Sequence, residues 1–298
     1  MTRKIIYLIN PISGTRGKGN LTALVTKRTA EVGIPFEILP TEASGDYRFL
    51  QQRIAEEGIT DIVICGGDGS VNQVVHSLAG CPVNFGIVPM GSGNGLAFAA
   101  GIPKASAKAL EIVFTGKPVL IDGFMVNEQF ACMLCGLGFD AQVAHEFAVQ
   151  PKRGLATYAS LTTRNFFSAR SYPFLVNANK IAFNTEAFFI SIANSNQFGN
   201  NFTIAPKADL SDGLLDVVIV KKIAKPLLLL NVMRQVLAGK LKRIENSLRS
   251  PVIYFQTQEL TISNTDHAPL HIDGEPRDSI PQLDIKVLPK HFRLIHPA

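Results

Sequence analysis

Long apolar runs are missing from this chain. No stretch approaches the roughly 18 consecutive apolar residues that a membrane-spanning helix needs, and Leu227 to Leu230 is only the densest short patch. Near the N-terminus, Arg3 and Lys4 precede just Ile5 to Ile9 before Asn10-Pro11, too short for the apolar part of a secretory signal. A soluble, cytosolic protein is therefore expected. Cysteine is scarce as well: Cys65, Cys81, Cys132 and Cys135 are too few for a disulfide framework. The Cys132-x-x-Cys135 spacing suits a metal or redox pair, but no second pair accompanies it. On a strand, residues three apart face opposite sides, so both cysteines are expected in the core. No internal repeat or low-complexity tract is present. The standard nucleotide fingerprints are missing too. Gly17-Lys18 is followed by Gly19 and stands five places after Ile12, which rules out a Walker A loop, and Gly91-x-Gly93-x-Gly95 misses the dinucleotide spacing.

What is present is enough for two domains. The chain has 298 residues, 46% of them hydrophobic and 18% charged, and single cores tend to stop growing at about this length. Up to about Gly123, short apolar runs alternate with amphipathic stretches. Ile5 to Ile9, Phe36 to Leu39, Asp61 to Cys65 and Phe85 to Val88 read as strands; Leu21 to Val32, Tyr47 to Glu57, Val71 to Ala79 and Ala105 to Phe114 have helical spacing. This is a βαβ series, hence a parallel sheet covered by helices, with ligands expected at the carboxyl ends of its strands. After Gly123 the texture becomes β-rich, with runs at Gln129 to Leu134, Phe174 to Val176, Phe188 to Ile192, Leu214 to Val220 and Val252 to Phe255. Two helical patterns interrupt it, near Gly154 to Phe167 and Pro226 to Leu241, so an antiparallel sandwich or barrel is expected. The expected boundaries are 1–124 for an α/β domain and 125–283 for a β-sandwich domain, with 284–298 returning to the first.

The strongest chemical signal is Gly66-Gly67-Asp68-Gly69-Ser70-Val71-Asn72, which follows an apolar strand and opens a helix. Glycines let the backbone turn tightly and aim N–H groups at an anion, and a helix N-terminus adds favourable partial charge. An acid in such a turn repels phosphate unless a divalent cation intervenes or the acid acts as a base, so Asp68 points to nucleotide with Mg²⁺. The bland alternative is a turn in which Asp68 caps a helix. Two further turns occupy equivalent places: Asn10-Pro11-Ile12-Ser13-Gly14 after the first strand and Gly91-Ser92-Gly93-Asn94-Gly95 after the fourth.

These motifs resemble the diacylglycerol kinase catalytic domain family, which includes bacterial lipid kinases and sphingosine kinases. The resemblance runs through Asn10-Pro11-x-Ser13-Gly14, Gly66 to Asn72, Pro89 to Asn94, Gly136 to Asp140, Ala205 to Asp216 and Asp273-Gly274-Glu275, almost the whole chain. It implies ATP in a cleft between an α/β domain and a β-sandwich, and a lipid hydroxyl as phosphate acceptor. By the same matching, Asn10, Ser13, Gly14, Thr41, Gly66, Gly67, Asp68, Gly69, Ser70, Val71, Asn72, Gly91, Ser92 and Asn94 would surround ATP. Glu275 would be the base that takes the hydroxyl proton, with Asp68 placing metal and phosphate or acting as base itself. Asp212 and the carbonyls of Asp209 and Leu214 would hold a Mg²⁺, a hard ion suited to oxygen ligands. Asp140 would touch the lipid head group, or cap a helix. His271, two residues before Asp273 on the same strand face, is expected to support its neighbours rather than act. One departure is Gly95, where many bacterial members carry an acid; it leaves the acceptor open among diacylglycerol, sphingoid and related lipids.

Two rivals remain: an NAD kinase, whose family also uses a Gly-Gly-Asp-Gly loop, and a silent nucleotide or lipid sensor. Charge distribution adds a partner. From Phe147 to Gln258, fourteen Lys and Arg stand against five Asp and Glu, while the whole chain carries only +5. Lys152, Arg153, Arg164, Arg170 and Lys180 are interleaved with Leu155, Tyr158, Leu161, Phe166 and Phe167, a mixture that suits an anionic bilayer surface. No nucleic-acid fold signature accompanies it, so nucleic acid is not expected as a partner. The expected location is the cytoplasm, peripheral to the inner face of the membrane; a homodimer is left open.

Overall fold

The computed structural model describes residues 3–9, 18–151, 154–197, 205–222, 248 and 250–298. Two compact units emerge, Met1–Ile121 with Lys290–Ala298, and Asp122–Pro289.

The first unit opens with β1 (Ile5–Ile9), α1 (Lys18–Glu31), β2 (Phe36–Pro40), α2 (Phe49–Glu57), β3 (Asp61–Gly66), α3 (Asp68–Leu78) and β4 (Asn84–Pro89). Next come the short α4 (Gly95–Ala99), then α5 (Ser106–Thr115) and β5 (Lys117–Val126), within which the chain passes into the second unit. All six residues of β3 are buried, as a strand covered on both faces requires. Helix α3 buries Val71, Val74, Val75 and Leu78, one stripe at helical spacing. Its neighbour α2 ends on Gly58, whose φ of +66° supplies the left-handed cap. The strands lie in the order β2, β1, β3, β4, every pair parallel. The order reverses between β1 and β3, and that switch point is where open α/β sheets bind their ligands.

The second unit contains β6 (Gln129–Ala131), β7 (Leu134–Gly138), α6 (Phe139–Ala148), α7 (Leu155–Ser168), β8 (Tyr172–Ala178), β9 (Ile181–Ala193) and β10 (Leu215–Lys221). It continues with β11 (Val252–Thr257), β12 (Glu259–Ser263), β13 (Leu270–Ile272), β14 (Glu275–Arg277) and the first part of β15 (Gln282–His296). The end of β15 belongs to the first unit, where Arg293 and Leu294 pair in parallel with β4.

The long strand β9 builds the sandwich. Its first half pairs with β8, which pairs with β12 and that in turn with β15. Its second half pairs with β7 on one side and β10 on the other, and β13 and β14 extend the β7 edge. All of these pairings are antiparallel. Strand β8 alternates buried and exposed residues along its length, the pattern of a sheet with one face in the core. Phe174, Val176, Ile190, Ile192, Val217, Phe255 and Ile262 are among the buried side chains that fill the sandwich. Among the described residues, two helices belong to this β-rich unit. Helix α7 matches the periodicity near Gly154; α6 was not anticipated.

Candidate active site residues in each unit

In the first unit the carboxyl ends of the parallel strands gather most of the expected nucleotide-binding residues. Thr41 directly follows β2 and donates its backbone N–H to Ile9 at 3.2 Å. Gly66 closes β3, Gly67 caps α3, and Asp68, Gly69, Ser70, Val71 and Asn72 form the start of that helix. Asp68 sits half-buried in the first turn, where the positive end of the helix favours a negative charge. Asn10, Ser13 and Gly14 lie outside the described residues.

The turns after β3 and β4 touch backbone to backbone. Met90 donates its N–H to the Gly66 carbonyl at 2.9 Å. A Cβ built on Gly91 would stand 2.7 Å from the Cα of Gly67, and one on Gly67 would stand 3.1 Å from the Cα of Gly91. A side chain would clash at Gly91 and be tight at Gly67, so two amide-rich turns lie side by side at the carboxyl end of the sheet. Asn94 holds the second turn closed: its Oδ1 accepts the Gly91 N–H and its Nδ2 donates to the Gly91 carbonyl, both at 2.8 Å. Its φ of +56° is a conformation asparagine tolerates better than most residues. Asn94 is only 2% exposed, so it shapes the loop from within, whereas Ser92 is half-buried. Adjacent amide-rich turns with a helix N-terminus fit the polyphosphate of a nucleotide.

In the second unit the Asp273-Gly274-Glu275 motif makes a two-residue hairpin between β13 and β14. Ile272 pairs with Glu275, and the two turn residues have φ of +49° and +79°. Asp-Gly is the sequence such a turn favours, because both central residues must adopt positive φ. The Asp273 carboxylate is buried and fully engaged in anchoring. Its Oδ1 accepts the N–H groups of Met133 and Leu134 and its Oδ2 that of Cys132, each at 2.9 Å. This explains a departure from the sequence reading, in which Gln129 to Leu134 was one strand: the chain breaks between β6 and β7 because three successive amides turn toward Asp273. Glu275, the next residue but one, stands exposed on the edge strand. Cys132 and Cys135 are both buried and outside any disulfide, and burial pushes the Cys135 thiol up.

The expected metal residues lie on the loop before β10. Asp209 Oδ1 accepts from the Ser211 backbone and hydroxyl at 2.9 Å, and Asp212 Oδ1 accepts the Leu214 N–H at 2.9 Å. Partial desolvation and the nearby charges of Asp209 and Asp122 raise the Asp212 carboxyl above its ordinary range. Two residues that sequence reasoning left unassigned support this loop. Buried Asp122 accepts the Gly213 N–H at 2.6 Å. Buried Asp216 accepts from the Tyr254 hydroxyl at 2.8 Å and from Gln256 at 3.1 Å, and burial pushes its carboxyl up to about 6. Among the described residues no three His, Cys, Asp or Glu side chains form a ready metal cluster. An ion here would rely on one or two carboxylates, carbonyls and water, which is how Mg²⁺ is usually held. The negative charges that crowd Asp212 are the donor chemistry such an ion would satisfy.

Comparison with known proteins agrees with this division. Residues 4–126 match the diacylglycerol kinase catalytic domain, and residues 134–296 match the YegS C-terminal NAD kinase beta sandwich-like domain. A "Probable lipid kinase YegS-like" of Shewanella frigidimarina is 28% identical over 266 residues, 86% of this chain and 82% of its own. The diacylglycerol kinase of Bacillus subtilis is 26% identical over 301 residues, 99% of this chain and 96% of its own. A crystal structure of a diacylglycerol kinase from Bacillus anthracis superposes with a TM-score of 0.73 at 19% identity, covering 99% and 97% of the two chains. The chain belongs to the family of diacylglycerol and YegS-like lipid kinases, with that family's α/β catalytic domain followed by its antiparallel sandwich.

Proposed function

We propose that this protein transfers the γ-phosphoryl group of ATP to the hydroxyl of a diacylglycerol or a related lipid at an anionic membrane surface. The observation that carries the reading is the Ile272–Glu275 hairpin. The motif's first acid anchors the turn, and its second is left exposed on the edge strand. MgATP, when bound, supplies the phosphoryl group and much of the charge neutralisation. The chain's own part is positioning and one proton transfer. Backbone amides at Gly67 to Ser70 and at Ser92 and Gly93 would hold phosphate oxygens, Asp68 would help hold their metal, and a Glu275 carboxylate oxygen takes the proton of the attacking hydroxyl. Asp212 with the carbonyls of Asp209 and Leu214 would hold a second, structural Mg²⁺.

Peripheral membrane binding through the basic stretch of the second unit completes the reading. No helix among the described residues is long and apolar enough to cross a membrane. Arg164 on α7 is paired with Glu146 at 2.8 Å yet remains 71% exposed. Lys152 and Arg153 lie outside the described residues. Co-sedimentation with phosphatidylglycerol vesicles, released by salt and weak with phosphatidylcholine, is the expected behaviour. A panel of diacylglycerols, monoacylglycerols, sphingoid bases and NAD, incubated with ATP and analysed by mass spectrometry, tests the activity. Phosphorylation of a lipid supports the reading; phosphorylation of NAD alone, or of nothing, contradicts it.

A further inference from the structure

His271 on β13 is 1% exposed, and its two ring nitrogens face different elements. Nδ1 accepts the backbone N–H of Gly274 at 3.3 Å. Nε2 lies 3.5 Å from Oδ2 of Asp140, which is 7% exposed in the first turn of α6. The other oxygen of Asp140, Oδ1, accepts the Ala141 N–H at 2.8 Å.

The space for this contact is built in. Gly136 on β7 pairs directly with His271, and a Cβ at that position would collide with both Asp140 Oδ2 and His271 Nε2. Any larger residue there would separate the ring from the carboxylate.

Bond direction then assigns the ring proton. A nitrogen that accepts an N–H cannot carry a proton, so Nδ1 is bare and the neutral ring's proton sits on Nε2, toward Asp140. The ring thus joins α6 to the amide that immediately precedes Glu275.

We propose that His271 is a positioning residue for Glu275. By holding the Gly274 amide it fixes the second half of the turn, as Asp273 fixes the first, and Asp140 in turn fixes the ring. The inference rests on the reading of Glu275 as the base. A base on an edge strand has few neighbours to hold it, and small displacements of a reacting group are expensive in rate.

Three substitutions separate the two contacts. His271→Phe keeps the ring's bulk and removes both. His271→Asn places its Oδ1 where Nδ1 stood and can keep the Gly274 bond, whereas His271→Gln reaches toward Asp140 and cannot. We expect His271→Phe to lower kcat on lipid by about 10- to 100-fold while KM for ATP stays within about two-fold. His271→Asn should recover much of that loss and His271→Gln little. Long-range ¹H–¹⁵N correlation of the wild-type imidazole should show the Nε2–H tautomer, and the Gly274 amide resonance should move in every variant that loses the bond.

Wild-type kcat in His271→Phe beside an inactive Glu275→Gln would overturn the positioning role alone. So would recovery by Gln rather than Asn, an Nδ1-protonated ring, or a Gly274 resonance indifferent to residue 271. Should His271→Phe fail to fold, the tautomer and the Asn and Gln variants decide. Full turnover in Glu275→Gln would remove the base and the proposal with it. The tautomer and amide measurements need no activity, so they stand even if no lipid is phosphorylated.

Discussion

Replacing Asp273 with alanine separates anchoring from chemistry. The carboxylate accepts three buried backbone N–H groups, from Cys132, Met133 and Leu134, each at 2.9 Å. Leaving a buried donor unpaired costs about 1–3 kcal/mol, and relaxation shared among three neighbours makes the total less than the sum, so Asp273→Ala should destabilise the protein by about 3–5 kcal/mol. That is a large part of the 5–15 kcal/mol typical of a native domain. Asp273→Asn should lose less, about 1–3 kcal/mol, because one oxygen can still serve Met133 and Leu134 while the new amide opposes Cys132. The chain has no tryptophan, so urea unfolding is best followed by far-ultraviolet circular dichroism, with amide exchange at Cys132 to Leu134 to localise the loss. Stability within about 0.5 kcal/mol of wild type in Asp273→Ala, with activity abolished, would refute the reasoning and make Asp273 a reacting or metal-binding carboxylate.

Gly91→Ala should weaken ATP binding and lower stability by about 1–3 kcal/mol, because its Cβ would meet the Gly67 backbone 2.7 Å away and force the two turns apart; unchanged nucleotide affinity by calorimetry would contradict this. Mg²⁺ without ATP should raise the melting temperature of the wild type, by about 1.4 kcal/mol of stability at ten times the dissociation constant, and Asp212→Ala should abolish the rise; a wild type indifferent to Mg²⁺ would count against a structural ion. In native protein a disulfide reagent should modify Cys81 first, since it is the one cysteine not buried, while burial pushes the Cys65 thiol up to about 12. Rapid reaction of Cys65, Cys132 or Cys135 would show the interior to be more open than described.

The parallel strands were legible because each is a short, largely apolar run bounded by turn residues, and Ile5 to Ile9 and Asp61 to Gly66 emerge where the hydrophobic pattern places them. The glycine turns were legible for a related reason: glycine at positions such as Gly67 and Gly91 reports a close backbone approach. Helix α6 was not, because its ten residues follow Gly136-Leu137-Gly138 without an obvious break and its buried stripe is short. The five residues of α4 are too few to show a period. Support for the functional loops was illegible because it is long-range. Asp122 meets Gly213 across 91 residues and Asp273 meets Cys132 across 141, and no local pattern announces either. The helical pattern near Pro226 to Leu241 lies outside the described residues.

The central claim is tested most directly by single-turnover transfer of labelled γ-phosphate from ATP to diacylglycerol in phosphatidylglycerol micelles, with Glu275→Gln beside the wild type and ATP affinity measured for both. The account predicts rapid labelling of lipid by the wild type, loss of at least about 100-fold in the variant and near-equal ATP affinity, the signature of a missing proton acceptor. Undiminished transfer by Glu275→Gln, or ATP hydrolysis with no lipid labelled by the wild type, would contradict it.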